Sequence, residues 1–148
     1  MPVIVVGADT PEGRAIFDGL ISPGREIRVF VSDPDTAAGF REKGAKVAVG
    51  DVSDDSHIEA AAASCFTAVL VTPAIDDGRE ISFATGSNQV LHRWATAVAG
   101  VRRVIWVHDG EVPPVSQAEI ARVEPGDPDL VTKVVALDEV RELKTPPT

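Results

Sequence analysis

The sequence holds no tyrosine and a single cysteine, and aromatic residues make up only 5% of its 148 positions. Without tyrosine, no phenolic proton donor is available to any chemistry the chain performs. The lone Cys65 excludes an intrachain disulfide framework, and its apolar context AAAASCFTAV reads as a small buried residue at a helix end. Basic residues are scarce too: 14 Lys and Arg against 23 Asp and Glu leave a formal net charge of -9. That balance argues against a surface that coats nucleic acid, which needs a basic stripe for the phosphates. No apolar run is long enough to cross a bilayer. The opening MPVIVVG carries no basic stretch ahead of its apolar run and no cleavage-site pattern. It reads as a strand and not as an export signal, so the cytoplasm is the expected location.

What is present is an alternation of short β-branched runs with helical patterns. Val3 to Val6 is a continuous apolar strand. It is followed by Pro11 to Ser22, which sets Gly13, Ile16, Phe17 and Leu20 at the spacing of a buried helix face. Further strands are expected at Ile27 to Val31, Lys46 to Val49, Thr67 to Val71 and Arg103 to Val107. Between them, helices are expected after Asp33-Pro34 and closed by Gly44, over Ser56 to Ser64, and over Ile81 to Ala99. Strands this apolar are covered by helices on both faces, and the alternation predicts a doubly wound, three-layer α/β parallel sheet of five or six strands. Leu130 to Leu137, LVTKVVAL, reads as the sixth strand, and the closing Lys144 to Thr148 as a loose tail. One domain over 1–148 is expected, with regular units over 2–109 and a shortened C-terminal part over 110–148.

In such a sheet, ligands bind along the edge where the strands end, near the reversal of strand order. Candidate residues therefore follow Val6, Val31, Val49, Val71 and Val107. The loop GADTPEG places Gly7 and Gly13 at the first and last glycine positions of a strand-loop-helix phosphate site, with Thr10, Pro11 and Glu12 between them. Thr10 also reads as a helix cap before Pro11 at the first helical position, an arrangement that needs no ligand. A bulky residue at Gly13 is expected to abolish nucleotide binding and leave the fold intact. Ser32 and Asp33 fall where a dinucleotide's ribose is read; Asp33 also suits a cap before Pro34, and Ser32 can donate to a hydroxyl or a phosphate, leaving NAD or NADP open. Asp51 can accept from an adenine amino group or begin a helix cap. Thr72 and Pro73 would line the nicotinamide half, or form a bare turn.

The segments VGADTPEGRAI, FVSDP, VAVGDVSD, AVLVTPA and VLHRWATAVAGVRRVIWV resemble, in order and interval, the atypical branch of the short-chain dehydrogenase/reductase family. The NmrA-like and flavin-reductase-like NAD(P)-binding proteins are the nearest in pattern, and the resemblance covers Pro2 to Asp109. It implies a Rossmann-like fold, a bound dinucleotide and Asp51-Val52 on the adenine side. The family's loop is Gly-x-x-Gly-x-x-Gly, and Thr10 stands at its middle glycine. NADP-using members often carry arginine where this chain has Ser32. The family's usual Tyr-x-x-x-Lys machinery is impossible here. His108, with Asp109 beside it, stands near the family's catalytic serine, and a histidine at a sheet's carboxyl edge can donate a proton near neutral pH. Adjacent residues on an extended chain point opposite ways, so the two need not form a pair.

Two functions are consistent with this reading. One is an oxidoreductase that passes hydride directly from nicotinamide to a small-molecule substrate. The other is a non-catalytic regulator or interaction module that retains the fold with weak or no cofactor binding. His57 and His92 fall on polar helix faces, and no spacing indicates a metal site. A homodimer through the Ile81 to Ala99 helix is expected.

Overall fold

The computed structural model describes residues 1–140; the expected tail Lys144 to Thr148 lies outside them. Six strands form one wholly parallel sheet: β1 (Val3–Val6), β2 (Ile27–Val31), β3 (Lys46–Val49), β4 (Thr67–Val71), β5 (Arg103–Val107) and β6 (Glu119–Val123). Their spatial order is β3-β2-β1-β4-β5-β6, with Val3 opposite both Ile27 and Thr67. This is the Rossmann order, and it reverses between β1 and β4. β1, β4 and β5 are buried throughout, and apart from Thr67 and Arg103 at the starts of β4 and β5 they are apolar.

Five helices flank the sheet among the described residues: α1 (Pro11–Leu20), α2 (Ala37–Glu42), α3 (Asp55–Ala62), α4 (Ser87–Ala97) and α5 (Leu130–Glu139). Ile16, Phe17 and Leu20 of α1, Phe40 of α2, and Leu130 and Val134 of α5 pack with Val3, Val5 and Val29 on one face. Ile58 of α3 and Val90, Leu91 and Trp94 of α4 pack with Ile4, Leu70 and Trp106 on the other. The helix-sheet-helix layering matches the expected class.

Two elements differ from expectation. LVTKVVAL is part of helix α5 and not a strand; the sixth strand is Glu119–Val123, inside a segment whose pattern showed no period. A short apolar run does not distinguish a strand from a buried helix face. Here Leu130, Val134 and Asp138, spaced by four, face inward, and α1 offers Gly19 as the seat for Val131. The C-terminal end of α5 is closed by a residue distant in sequence: Arg103, wholly buried on β5, donates to the carbonyls of Leu137, Asp138 and Val140 at 2.9, 3.0 and 2.6 Å. A cation on the free carbonyls of a helix end favours the helix. The second difference is that α4 begins at Ser87, not Ile81. The residues ahead of it form a strap across the carboxyl edge of the sheet, because the amides of Ser82 and Phe83 are bound to side chains after β3.

Candidate functional site

The loop from β1 to α1 sits at the reversal of strand order. Gly7 has φ +84, and a Cβ there would meet the Val71 carbonyl oxygen at 2.7 Å. Only glycine suits both the conformation and the approach to β4. At Gly13 a Cβ would lie 2.2 Å from the Gly7 carbonyl oxygen and 2.7 Å from the Ala8 Cα, both backbone atoms. A bulky residue at Gly13 therefore disrupts the turn itself, which corrects the expectation that such a variant leaves the fold intact.

Thr10 is 2% exposed. Its hydroxyl donates to the Gly7 carbonyl at 2.8 Å and accepts from the Gly13 amide at 2.9 Å. The hydroxyl proton is committed inside the loop, so the side chain is a cap that locks the two glycines together. Pro11 has no N–H, and the Gly13 amide is taken by Thr10. The Glu12 amide is the donor left open in this first turn among the described residues. One carboxylate oxygen of Glu12 is buried with no partner among the described residues, an acceptor that a ligand donor would satisfy.

Beside this loop lies a cleft of about 590 Å³ lined by Asp9, Ser32, Asp33, Gly50, Asp51 and the strap residues 77–80. It brings together three of the expected residues, Ser32, Asp33 and Asp51. Asp33 caps the short turn Pro34–Thr36 by accepting from the Asp35 amide at 2.9 Å. Asp51 accepts from the Ser53 amide and hydroxyl on one oxygen and from the Ser82 amide, at 2.8 Å, on the other. Burial pushes this carboxyl up, but the hydrogen bonds from Ser53 and Ser82 outweigh it and hold Asp51 below the usual carboxylate range. Val52 is not brought to the cleft. It is fully buried in the core, and its carbonyl accepts from the Trp94 indole N–H at 2.6 Å.

Two residues dominate the cleft that the sequence pattern did not single out. Asp9, 3% exposed at its side chain, accepts from the amides of Ser32 and Asp33 at 2.9 and 3.2 Å, tying the loop to the end of β2. Arg79, carried by the strap, donates to Asp9 at 2.8 Å and to the Ser32 hydroxyl at 3.3 Å through Nη1. Its Nε and Nη2 edge grips Asp77, with Nε at 2.8 Å from one carboxylate oxygen. Burial weakens the guanidinium's charge, but Asp77 and Asp9 outweigh it and hold Arg79 more firmly protonated than in water. Arg79 lies 70 positions from Asp9 in the chain, and no periodicity or motif connects them.

The end of β4 and the end of β5 meet at a second group of expected residues. Thr72, 4% exposed, donates its hydroxyl proton to the Val107 carbonyl at 2.8 Å. Its oxygen also lies 2.7 Å from His108 Nδ1. Since the one hydroxyl proton is used, His108 must donate from Nδ1, and the neutral ring presents Nε2 as an acceptor. Pro73 follows within the short turn Thr72–Ala74. Asp109 is exposed, and His108 pairs with Thr72 and not with its chain neighbour. His57 is half-buried with its ring 5.0 Å from Phe30, and His92 is exposed on α4. No group of three His, Cys, Asp or Glu residues among those described is placed to hold a metal. No helix among them is long and apolar enough to cross a membrane.

Comparison with known proteins bears on the fold and the family. No curated protein sequence matches the chain. Among solved structures, the triphenylmethane reductase of Citrobacter sp. complexed with NADP(H) superimposes with a TM-score of 0.59 at 17% identity, covering 72% of this chain and 36% of that one. An NADPH-dependent quinone oxidoreductase of Escherichia coli complexed with NADPH gives 0.57 at 18% identity, covering 70% and 35%. An anaerobillin reductase of Escherichia coli gives 0.56 at 19%, covering 74% and 51%. At these identities the likeness is one of fold, and this chain spans about a third to a half of the length of those proteins. The NAD(P)H-binding family matches residues 7–142, nearly the whole of the described chain. By that match, the chain belongs to the NAD(P)H-binding family.

Proposed function

We propose that the chain is the dinucleotide-binding part of an NAD(P)H-dependent reductase that transfers hydride directly to a second bound molecule. The observation that carries this reading is the cleft at the strand-order reversal, bounded by a glycine turn on one side and the ends of β2 and β3 on the other. Its residues fit the cofactor unevenly. Ser32, Asp33 and Asp51 would face the adenosine, Gly7, Thr10, Pro11, Glu12 and Gly13 would form the phosphate loop, and the open Glu12 amide would be its donor. Val52 would contribute only as backing beneath the adenine. Thr72 and Pro73 would border the nicotinamide, which supplies the hydride when bound.

His108 would manage a proton on the substrate. Held through Nδ1 by Thr72, the neutral ring accepts a proton at Nε2, and the imidazolium returns it from the same atom. No tyrosine is needed for that step. The solved structures whose names specify NADP(H), quinone or dye reduction support the same class of chemistry, with small, electron-accepting substrates. A homodimer and a cytoplasmic location belong to the same proposal. The second reading, a regulator with weakened cofactor binding, is favoured by one observation: the Thr10 hydroxyl is spent inside the loop and offers no proton to a phosphate.

The test is titration with NADPH and NADH by calorimetry, followed by NAD(P)H oxidation with quinones and flavins in native protein and His108→Ala. Binding below millimolar concentration is expected, with oxidation slowed roughly 100-fold or more in the variant. No binding of either nucleotide overturns the proposal in favour of the regulator. Equal rates remove His108 from the mechanism.

A further inference from the structure

We infer that Arg79 makes the cleft a reader of a ribose 2′-phosphate, so that the chain selects NADP(H) over NAD(H); this rests on the proposed dinucleotide site. Ser32 follows β2, where the first βαβ unit of this fold presents the adenosine ribose, and a nearby arginine is what a 2′-phosphate requires there. The sequence places no arginine at that position. The strap supplies one from between β4 and α4, with its Nη1 at 3.3 Å from the Ser32 hydroxyl.

The way Arg79 is held points to the ligand. Asp9 fixes the Nη1 side and is itself anchored by the amides of Ser32 and Asp33, so this half of the guanidinium is positioned by buried groups. The other edge, Nε and Nη2, is held in bidentate fashion by Asp77, whose side chain is 36% exposed. Two parallel N–H groups meeting two oxygens is the geometry by which arginine grips phosphate. Asp77 comes from the same turn, two residues back across Gly78, where φ is +87. It can swing into water without disturbing the Asp9 side. A 2′-phosphate carries more charge than a carboxylate and would displace Asp77 from the fork while Asp9 keeps the guanidinium aimed. The cleft's other carboxylates, Asp33, Asp51 and Glu80, make no hydrogen bond to that edge. Asp51 is bound to Ser53 and Ser82, and Asp33 to the amide of Asp35. A ribose with a free 2′-hydroxyl gains no charge from the exchange, and Asp77 stays in place.

The experiment compares NADPH with NADH, and 2′,5′-ADP with 5′-AMP, by calorimetry on native protein, Arg79→Ala, Arg79→Lys and Asp77→Asn. In native protein the 2′-phosphorylated member of each pair should bind roughly 10- to 100-fold more tightly. Arg79→Ala should collapse both ratios towards one. Arg79→Lys should recover part of them, because charge returns without the fork. Asp77→Asn should raise both ratios by removing the competitor. Native ratios of one or less overturn the inference, as does an Arg79→Ala change that shifts both members of a pair equally; an equal gain in affinity would mean that Arg79 only plugs the cleft. In those cases NADH still binds and the proposed function stands. Failure of all four nucleotides to bind native protein instead overturns the proposed function and this inference with it. Native protein answers the selectivity question alone should a variant not fold, and thermal melts identify such a variant.

Discussion

At the scale of single residues, Thr10 and Thr72 do similar work at opposite ends of the site. Each spends its hydroxyl proton on a backbone carbonyl, Gly7 or Val107, and uses the oxygen to receive a second donor. Thr10→Ala removes the partner of the buried Gly13 amide and should lower stability by about 1–2 kcal/mol, read from denaturant unfolding. Thr10→Ser should recover most of it. Thr72→Val should leave His108 Nδ1 without its acceptor, and ¹⁵N NMR should then show the neutral ring shifting from the Nδ1–H form that the Thr72 contact requires. An unchanged tautomer would mean that Thr72 does not set it. The cap at Thr10 was legible in the string Thr-Pro-Glu-Gly. The tautomer was not, since it depends on 36 residues of chain returning to the same sheet edge.

At the scale of elements, the strap between β4 and α4 and helix α5 owe their form to contacts distant in sequence. The strap is tied to the sheet edge by a carboxylate that remains ionised below its ordinary range: bonds from Ser53 and Ser82 lower Asp51 against burial. Depressed acids stabilise the folded form above their unfolded value and lose that contribution as pH falls through the folded one. The strap should therefore stay closed at neutral pH and loosen only below about pH 4. Hydrogen exchange at the Ser82 and Phe83 amides, measured from pH 6 downward, checks this; loosening already at pH 6 would contradict it. For α5, Arg103→Ala uncaps three carbonyls and removes a wholly buried guanidinium from the end of the helix. A loss of roughly 3 kcal/mol is expected, with α5 amides exposed first.

At the scale of the whole molecule, charge sets how a nucleotide arrives. The protein carries -9 and the expected ligand is a polyanion, so long-range repulsion opposes encounter while the Arg79 and Glu12 donors act only at contact. Stopped-flow association of NADPH should accelerate by a few-fold between about 0.01 and 0.15 M salt, as the screening length shortens. A rate that falls with salt would point to a basic approach path that the charge balance does not indicate. The outward face of α4 carries Gln89, His92 and Thr96, a polar surface against which a dimer through that helix would have to form. Light scattering decides that assembly.

The sequence by itself determined the class of fold, because five apolar strands alternating with amphipathic helices have few ways to bury both faces of a sheet. It also determined the turn at Gly7 and Gly13, since local backbone sterics and a cap four positions long suffice to specify it. Only the tertiary structure decided that LVTKVVAL is a helix, because its apolar run suits either element and the choice came from α1 and Arg103. Only the tertiary structure placed Arg79 beside Ser32 and Asp9, because ion pairs across 70 residues leave no period in the chain. The missing arginine at the end of β2 was legible; its replacement from another strand's loop required the sheet to bring the two edges together.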